Sequence, residues 1–172
     1  MEFITLRSRA KFDLVNIESN VIDPKDVAWA LAGIRRWGGH AEPRRSVAMH
    51  CLHCVKLAEE CGYPMRLQHL LLLHDVEEFV LGDVPTPVKR LYWKNYDEVA
   101  DRIRCHVHAQ WCLKMPSPSE YALMKVIDKM ALEWERGHTM TEERQVRDNN
   151  VENEWDTYKA FLAALKELIA CC

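Results

Sequence analysis

The sequence predicts a single all-α domain with a short N-terminal β appendage. Apolar residues recur at helical spacing through most of the chain, and Gly and Pro interrupt it at intervals of helix length. Strand-like runs occur only near the beginning. With 172 residues, 48% of them hydrophobic and 28% charged, the chain is long enough to bury a sizeable core. No linker long enough to divide it is visible, so residues 1–172 read as one domain.

Ile4-Thr5-Leu6 and Phe12-Asp13-Leu14 flank a basic, polar turn, which predicts a hairpin or a pair of extended arms. Asp23-Pro24 reads as an N-cap followed by Pro at the first helical position. Val27, Ala30, Leu31 and Ile34 then share one face of a helix that Gly38-Gly39 stops. A second helix is predicted over 46–61, closed by Gly62. The third, carrying Leu67 to Leu81, is apolar nearly all round and hence central, ending at Gly82. Residues 82–87, Gly-Asp-Val-Pro-Thr-Pro, read as a stiff loop, because each Pro fixes φ and restricts the residue before it. A fourth helix is expected over 96–113 and, beyond Pro116 and Pro118, a fifth over 119–136 with Ala122, Val126, Ile127 and Met130 facing inward. The last carries Trp155, Tyr158, Phe161, Leu162, Leu165 and Ile169, which makes about six helices in all.

Charge and cysteine usage exclude several classes. With 23 Lys+Arg against 26 Asp+Glu the net charge is -3, so no positive field draws the chain onto duplex nucleic acid. Apolar runs such as residues 70–73 are far short of the roughly 20 residues that a membrane span needs. No secretory apolar region opens the chain, and a cytoplasmic location is expected, the host's if the source is a phage. Seven cysteines, an odd number, suit reduced thiols better than a disulfide framework. Cys51 and Cys54 form a C-x-x-C pair with no second pair to complete a zinc site, and inside a helical pattern they read as buried apolar thiols.

No Gly-rich phosphate loop, nucleophile elbow or zinc ribbon is present. Histidines and carboxylates carry the chemistry instead. On a continuous third helix His74 and Glu78 would share a face at i,i+4, with Asp75 and Glu78 neighbours at i,i+3. Burying such charges uncompensated is expensive, and a divalent cation would compensate them. His50 and Asp128 also sit in apolar helical stretches. Taken singly, each reads as easily as a hydrogen-bonded core residue.

Together, His50, then His74-Asp75, then Asp128 resemble the H…HD…D signature of the HD-domain metal-dependent phosphohydrolases. Arg36-Trp37, residues 46–50, residues 74–78, residues 82–89 and Ile127-Asp128 appear in the order seen in the YfbR-like 5'-deoxynucleotidases and their phage relatives. The resemblance covers about residues 4–136. Ile4-Thr5-Leu6-Arg7-Ser8, Phe12-Asp13-Leu14 and Gly39-His40 look most like the DatZ-type dATP triphosphohydrolases, and Met49 departs from the Glu usual in the bacterial branch.

The resemblance implies an HD-type helical bundle in which His50, His74, Asp75 and Asp128 bind one divalent transition metal, Co2+, Zn2+ or Mn2+, with Mg2+ a further candidate on the substrate phosphates. Glu78 is then expected to orient or deprotonate water, and Asp83 to protonate or steer the leaving group. Arg36, Trp37, Thr86, Pro87 and Lys89 are the expected substrate contacts. Hydrolysis of dATP or another dNTP to deoxynucleoside and triphosphate is the leading activity. The alternatives are a 5'-deoxynucleotidase acting on dNMPs and a catalytically silent nucleotide-binding sensor. A homo-oligomer, either a dimer or an assembly of dimers, is expected, with six Trp and an apolar last helix available for contact. His53, His69, His106, His108 and His138 read as structural, His40 is left unassigned, and Glu133, Glu135 and Arg136 read as a solvated helix end.

Overall fold

In the computed structural model, which describes residues 2–139 and 153–171, the N-terminal hairpin is present as β1 (Phe3–Thr5) and β2 (Lys11–Asp13). The strands are antiparallel, with Ile4 opposite Phe12. Strand alternation sends Phe12 inward, where its ring meets Phe79 edge-on at 5.6 Å. The connecting turn is tied to the first helix, because Ser8 donates its N–H and its hydroxyl to the two oxygens of Asp26 at 2.9 and 2.6 Å.

Eight α-helices follow among the described residues. α1 (Pro24–Gly33) starts as its sequence predicts: Asp23 accepts from the Lys25 N–H, and Pro24 loses no helical hydrogen bond at the first position. α2 (Val47–Glu60) is capped by the Ser46 hydroxyl, which accepts from the Met49 N–H at 3.3 Å. It buries Val47, Ala48, His50, Cys51, Cys54 and Ala58. The remaining helices are α3 (Met65–Leu72), α4 (Glu78–Leu81), α5 (Thr86–Tyr92), α6 (Tyr96–Gln110), α7 (Pro118–Thr139) and α8 (Glu154–Ala170).

Two apolar cores meet at α2. The larger holds Phe12, Val27, Leu31, Cys51, Ile103, Phe161 and Leu165; the smaller packs Cys54 and Ala58 against Leu67, Leu70, Leu71, Ile127 and Ala131. Each large apolar side chain so buried contributes about 1.5–3 kcal/mol. α2 is therefore held from both sides, and the buried His50 shares that hold.

Four expectations need correction. Of the residues expected to face inward on the helix over 119–136 only Ile127 is buried, while Ala122, Val126 and Met130 are exposed and Met124 and Ala131 take the inner face. α1 stops at Gly33 rather than at Gly38-Gly39. Ile34 is extended, Arg35 bridges to Ser46, the Arg36 N–H donates to the Arg45 carbonyl at 2.9 Å, and the Val47 N–H donates to the Ile34 carbonyl at 3.1 Å. Backbone groups that would have prolonged α1 pair instead with the entry to α2. The chain then makes one 3-10 turn, Trp37–Gly39, with Trp37 itself at φ 60°.

The predicted central helix over 67–81 is two helices, α3 and α4, separated by turns over 73–77. Through the break the hydrogen bonds tighten to i→i−3: Leu73 to Leu70, Val76 to Leu73 and Glu78 to Asp75. The single helical face predicted for His74, Asp75 and Glu78 therefore does not exist. Thr86 and Pro87, expected in a loop, begin α5, because Pro is tolerated in a first turn, where no helical donor is required. The break and α5 account for the two helices beyond the expected six. Among the described residues no helix is long and apolar enough to cross a membrane.

Candidate metal centre

The break after α3 turns His74 and Asp75 toward α2 and α7. His74 Nε2 lies 3.3 Å from His50 Nε2, 3.2 Å from Asp75 Oδ2 and 3.8 Å from Asp128 Oδ1, and His50 Nε2 lies 3.1 Å from the same Asp128 oxygen. Both imidazoles are oriented from behind: His50 Nδ1 is 3.0 Å from Glu135 Oε1, and His74 Nδ1 is 2.6 Å from the Leu71 carbonyl oxygen. With Nδ1–H donating in each case, both Nε2 lone pairs converge with two carboxylates. Metal-binding histidines are held in this way.

His50, His74 and Asp128 lie 3.1–3.8 Å apart, close to the separation of about 3.3–3.6 Å between donors around a tetrahedral ion, and Asp75 lies 3.2 Å from His74. Two further clusters, His50 with Cys54 and His74, and Cys51 with His74 and Asp75, also bring ligand-type atoms within 4.8 Å. These His, Cys and Asp groups could hold a metal ion. Both thiols are fully buried in the apolar cores, as expected, and burial pushes the Cys51 thiol up, away from the thiolate a metal needs.

Charge is concentrated here. Burial pulls both imidazoles down, yet the hydrogen bonds of His50 to Asp128, Cys54 and Glu135, and the proximity of His74 to Asp75 and Cys51, raise both well above the usual histidine value. Against the upward push of burial, His74 holds the Asp75 carboxyl well below its ordinary range, and His50 does the same for Asp128. Burial and then Asp75 push Glu77 up to about 7, with Arg104 opposing. Burial, then Asp75, Asp83 and Glu77, push Glu78 up to about 9 against Lys89.

The ligand cluster opens on a cavity of about 490 Å³ lined by His74, Asp75 and Asp128 at one part, and by Glu77, Thr86, Lys89, Tyr96, Asp97, Asp101, Arg104 and Lys125 elsewhere. Its size falls within the range of small-molecule sites. Among its lining residues, Glu77 Oε2 and the Tyr96 hydroxyl are buried without a hydrogen-bond partner. Such atoms are rare in a finished interior and mark where a ligand or water completes the bonding.

Comparison with known proteins adds relatives but no named activity. No protein-family model matches the chain. An uncharacterized protein of Rhodobacter capsulatus is 35% identical over 122 residues, which is 67% of this chain and 62% of that protein. The uncharacterized protein YfdR of Escherichia coli K12 is 31% identical over 124 residues, 71% of this chain and 66% of YfdR. The matched stretch thus spans just under two thirds of each relative.

The other predicted site residues take varied positions. Glu78 is buried with Lys89 Nζ 3.8 Å from its Oε1, and Lys89 also lies over the Tyr96 ring at 4.0 Å. Asp83 is half-buried and accepts from the Trp37 N–H; burial raises its carboxyl, with Arg36 opposing. Arg36, expected on substrate, is engaged within the protein: its Nε donates to Glu135 Oε2 at 3.1 Å, and Nη1 is 3.7 Å from Asp75 Oδ2. Trp37 is half-buried, with Arg136 over its ring at 5.5 Å and Nε1 unpartnered. Thr86 and Pro87 are exposed, and of the two only Thr86 lines the cavity.

Two residues were misread or missed. Glu135, read as solvated, is 1% exposed and links His50 to Arg36. Its signal was available, since 128, 131 and 135 share one helical stripe. Arg104, held by Glu77 and Asp101, was not singled out at all. Of the histidines read as structural, His106 and His138 bond backbone carbonyls, while His53 packs against the Trp134 ring.

Proposed function

We propose that this chain is a metal-dependent phosphohydrolase of the HD type that acts on deoxynucleotides, with dNTP to deoxynucleoside and triphosphate as the preferred reaction and dATP as the leading substrate. The observation that carries the reading is the convergence of His50, His74, Asp75 and Asp128, of which His74, Asp75 and Asp128 line one cavity and His50 lies buried behind them. His50 is separated in sequence by 24 residues from His74 and by 78 from Asp128. Their order in the chain is the order in which the HD-type signature runs.

These four residues would hold one divalent ion; two imidazoles and two carboxylates suit a borderline metal such as Co2+, Zn2+ or Mn2+. Such an ion supplies charge neutralisation at phosphoryl oxygens and lowers the pKa of water. Every other task belongs to the chain. Glu135 and the Leu71 carbonyl fix the imidazole tautomers, and Arg36 aligns Asp75 with Glu135. With a divalent ion held beside Asp75, Glu77 on Arg104 and Glu78, which burial and Asp75 raise, would both ionise more readily. Glu78 is then suited to take a proton from the attacking water, and Asp83, its carboxyl raised by burial, to return one to the leaving oxygen. Lys89, 3.8 Å from Glu78, and Lys125, 3.8 Å from Asp128, are the cavity lysines that would turn to phosphate, and Mg2+ on the phosphates would add to them.

The test is metal-analysed protein incubated with each dNTP and dNMP plus Co2+, Mn2+ or Zn2+, with released tripolyphosphate and orthophosphate resolved by chromatography. Tripolyphosphate is the expected first product. Orthophosphate from monophosphates alone would make the chain a 5'-deoxynucleotidase, and no product with any metal would leave a nucleotide-binding sensor. Lys89→Ala is expected to reduce triphosphate turnover far more than monophosphate turnover.

A further inference from the structure

Cys54 lies one turn after His50 on α2, so both side chains leave the same face of that helix. Its thiol belongs to the C-x-x-C pair that the proposed reaction leaves unused. It is fully buried, and Sγ lies 3.7 Å from His50 Nε2. The sulfur and the ligand-type nitrogens of both His50 and His74 lie within 4.8 Å of one another, whereas the corresponding cluster of Cys51 holds one imidazole only, that of His74.

With Nδ1–H of His50 donating to Glu135, Nε2 carries a lone pair, and in metal-free protein the Cys54 S–H can donate to it. An ion at Nε2 takes that lone pair and leaves the thiol without its acceptor. The distance shows what can replace it. A zinc–nitrogen bond of about 2.0–2.1 Å and a zinc–sulfur bond of about 2.3 Å, set at the tetrahedral angle, hold nitrogen and sulfur about 3.6 Å apart. The 3.7 Å between His50 Nε2 and Cys54 Sγ is close to that separation. One ion can therefore reach both atoms.

Resting on the metal centre of the reading above, we propose that the Cys54 thiolate is a further ligand of the ion held by His50 and His74. On binding, the S–H bond releases its proton to solvent and a sulfur lone pair takes the ion, with no change of oxidation state. Thiolate is a soft ligand, so the centre is biased toward Zn2+ and Co2+ and against Mn2+. Cys54 then sets the choice of metal.

The experiment is titration of the chelator-treated full chain, its thiols reduced, with Co2+ under absorption spectroscopy, for the parent, Cys54→Ala, Cys54→Ser and Cys51→Ala. Chelator competition measures Zn2+ and Mn2+ affinity, and circular dichroism checks folding. The parent and Cys51→Ala should show a sulfur-to-cobalt charge-transfer band in the near ultraviolet, and the folded Cys54 variants should lack it. Cys54→Ala should bind Zn2+ at least about tenfold more weakly than the parent and Mn2+ about as well. Co2+ bound by the parent without that band, or a band that survives in a folded Cys54 variant, overturns the proposal and leaves the metal centre standing. No Co2+ bound by the parent overturns both.

Discussion

Glu135 supports the candidate centre from behind, holding His50 by Nδ1 and Arg36 by Nε. Removing its charge should loosen the imidazole without deleting a ligand. Glu135→Gln is expected to weaken divalent metal binding by about 10–100-fold, measured by competition with a chelating dye, while the far-ultraviolet circular dichroism is unchanged. His50 and His74 make a second prediction, about pH. Their folded pKa values lie above the unfolded value, so in metal-free protein their contribution to stability is fully present below about pH 6.5 and is lost as pH rises through the folded values. Chelator-treated protein should therefore lose melting temperature on the alkaline side. Metal must displace those protons, so affinity should rise with pH over the same interval. A melting temperature that increases from neutral to alkaline pH would contradict this assignment. At this scale the sequence was most informative where side-chain type alone mattered. His50, His74, Asp75 and Asp128 could be named together through the resemblance their order carries, whereas the orientation of Arg36 could not, because it depends on a backbone bridge between residues 35 and 46.

At the scale of elements, the Asp23 cap was legible and interruptions were not. Asp23, Ser46 and Asn153 each accept an N–H from the first turn of their helix, though only the first was read from the sequence. The break between α3 and α4 has no Gly or Pro inside it, since residues 73–77 are Leu-His-Asp-Val-Glu. There the His74 imidazole takes up the Leu71 carbonyl, and the backbone tightens to i→i−3 bonds. Tertiary and side-chain bonding override a helical pattern that periodicity alone would have continued. Ser46 offers the cleanest test of an element. Ser46→Ala should cost about 1 kcal/mol in urea denaturation by removing the cap of α2. A change within a few tenths would mean that packing of α2 between the two cores, and not the cap, sets its start.

For the whole molecule, the hairpin is part of the larger core rather than an appendage beside it, because Phe12 packs on Phe79 just after the break. Phe12→Ala should destabilise the chain by about 3–5 kcal/mol in denaturant unfolding, as large-to-small core changes do. A loss below about 1 kcal/mol would show the hairpin to be dispensable. The all-helical class with its β pair was readable because composition and periodicity are properties of the whole chain. The cavity was not, since its lining comes from elements between residues 73 and 128 whose packing no local pattern encodes. The proposed function depends on one divalent ion being held by four residues from α2, the break after α3, and α7. Equilibrium dialysis of the chelator-treated chain against Co2+ or Zn2+, followed by elemental analysis, measures that directly. One tightly bound equivalent per chain, lost in both His74→Ala and Asp128→Ala while each variant remains folded, is the expected result; no tight binding by the parent chain, or an undiminished equivalent in both variants, would contradict it.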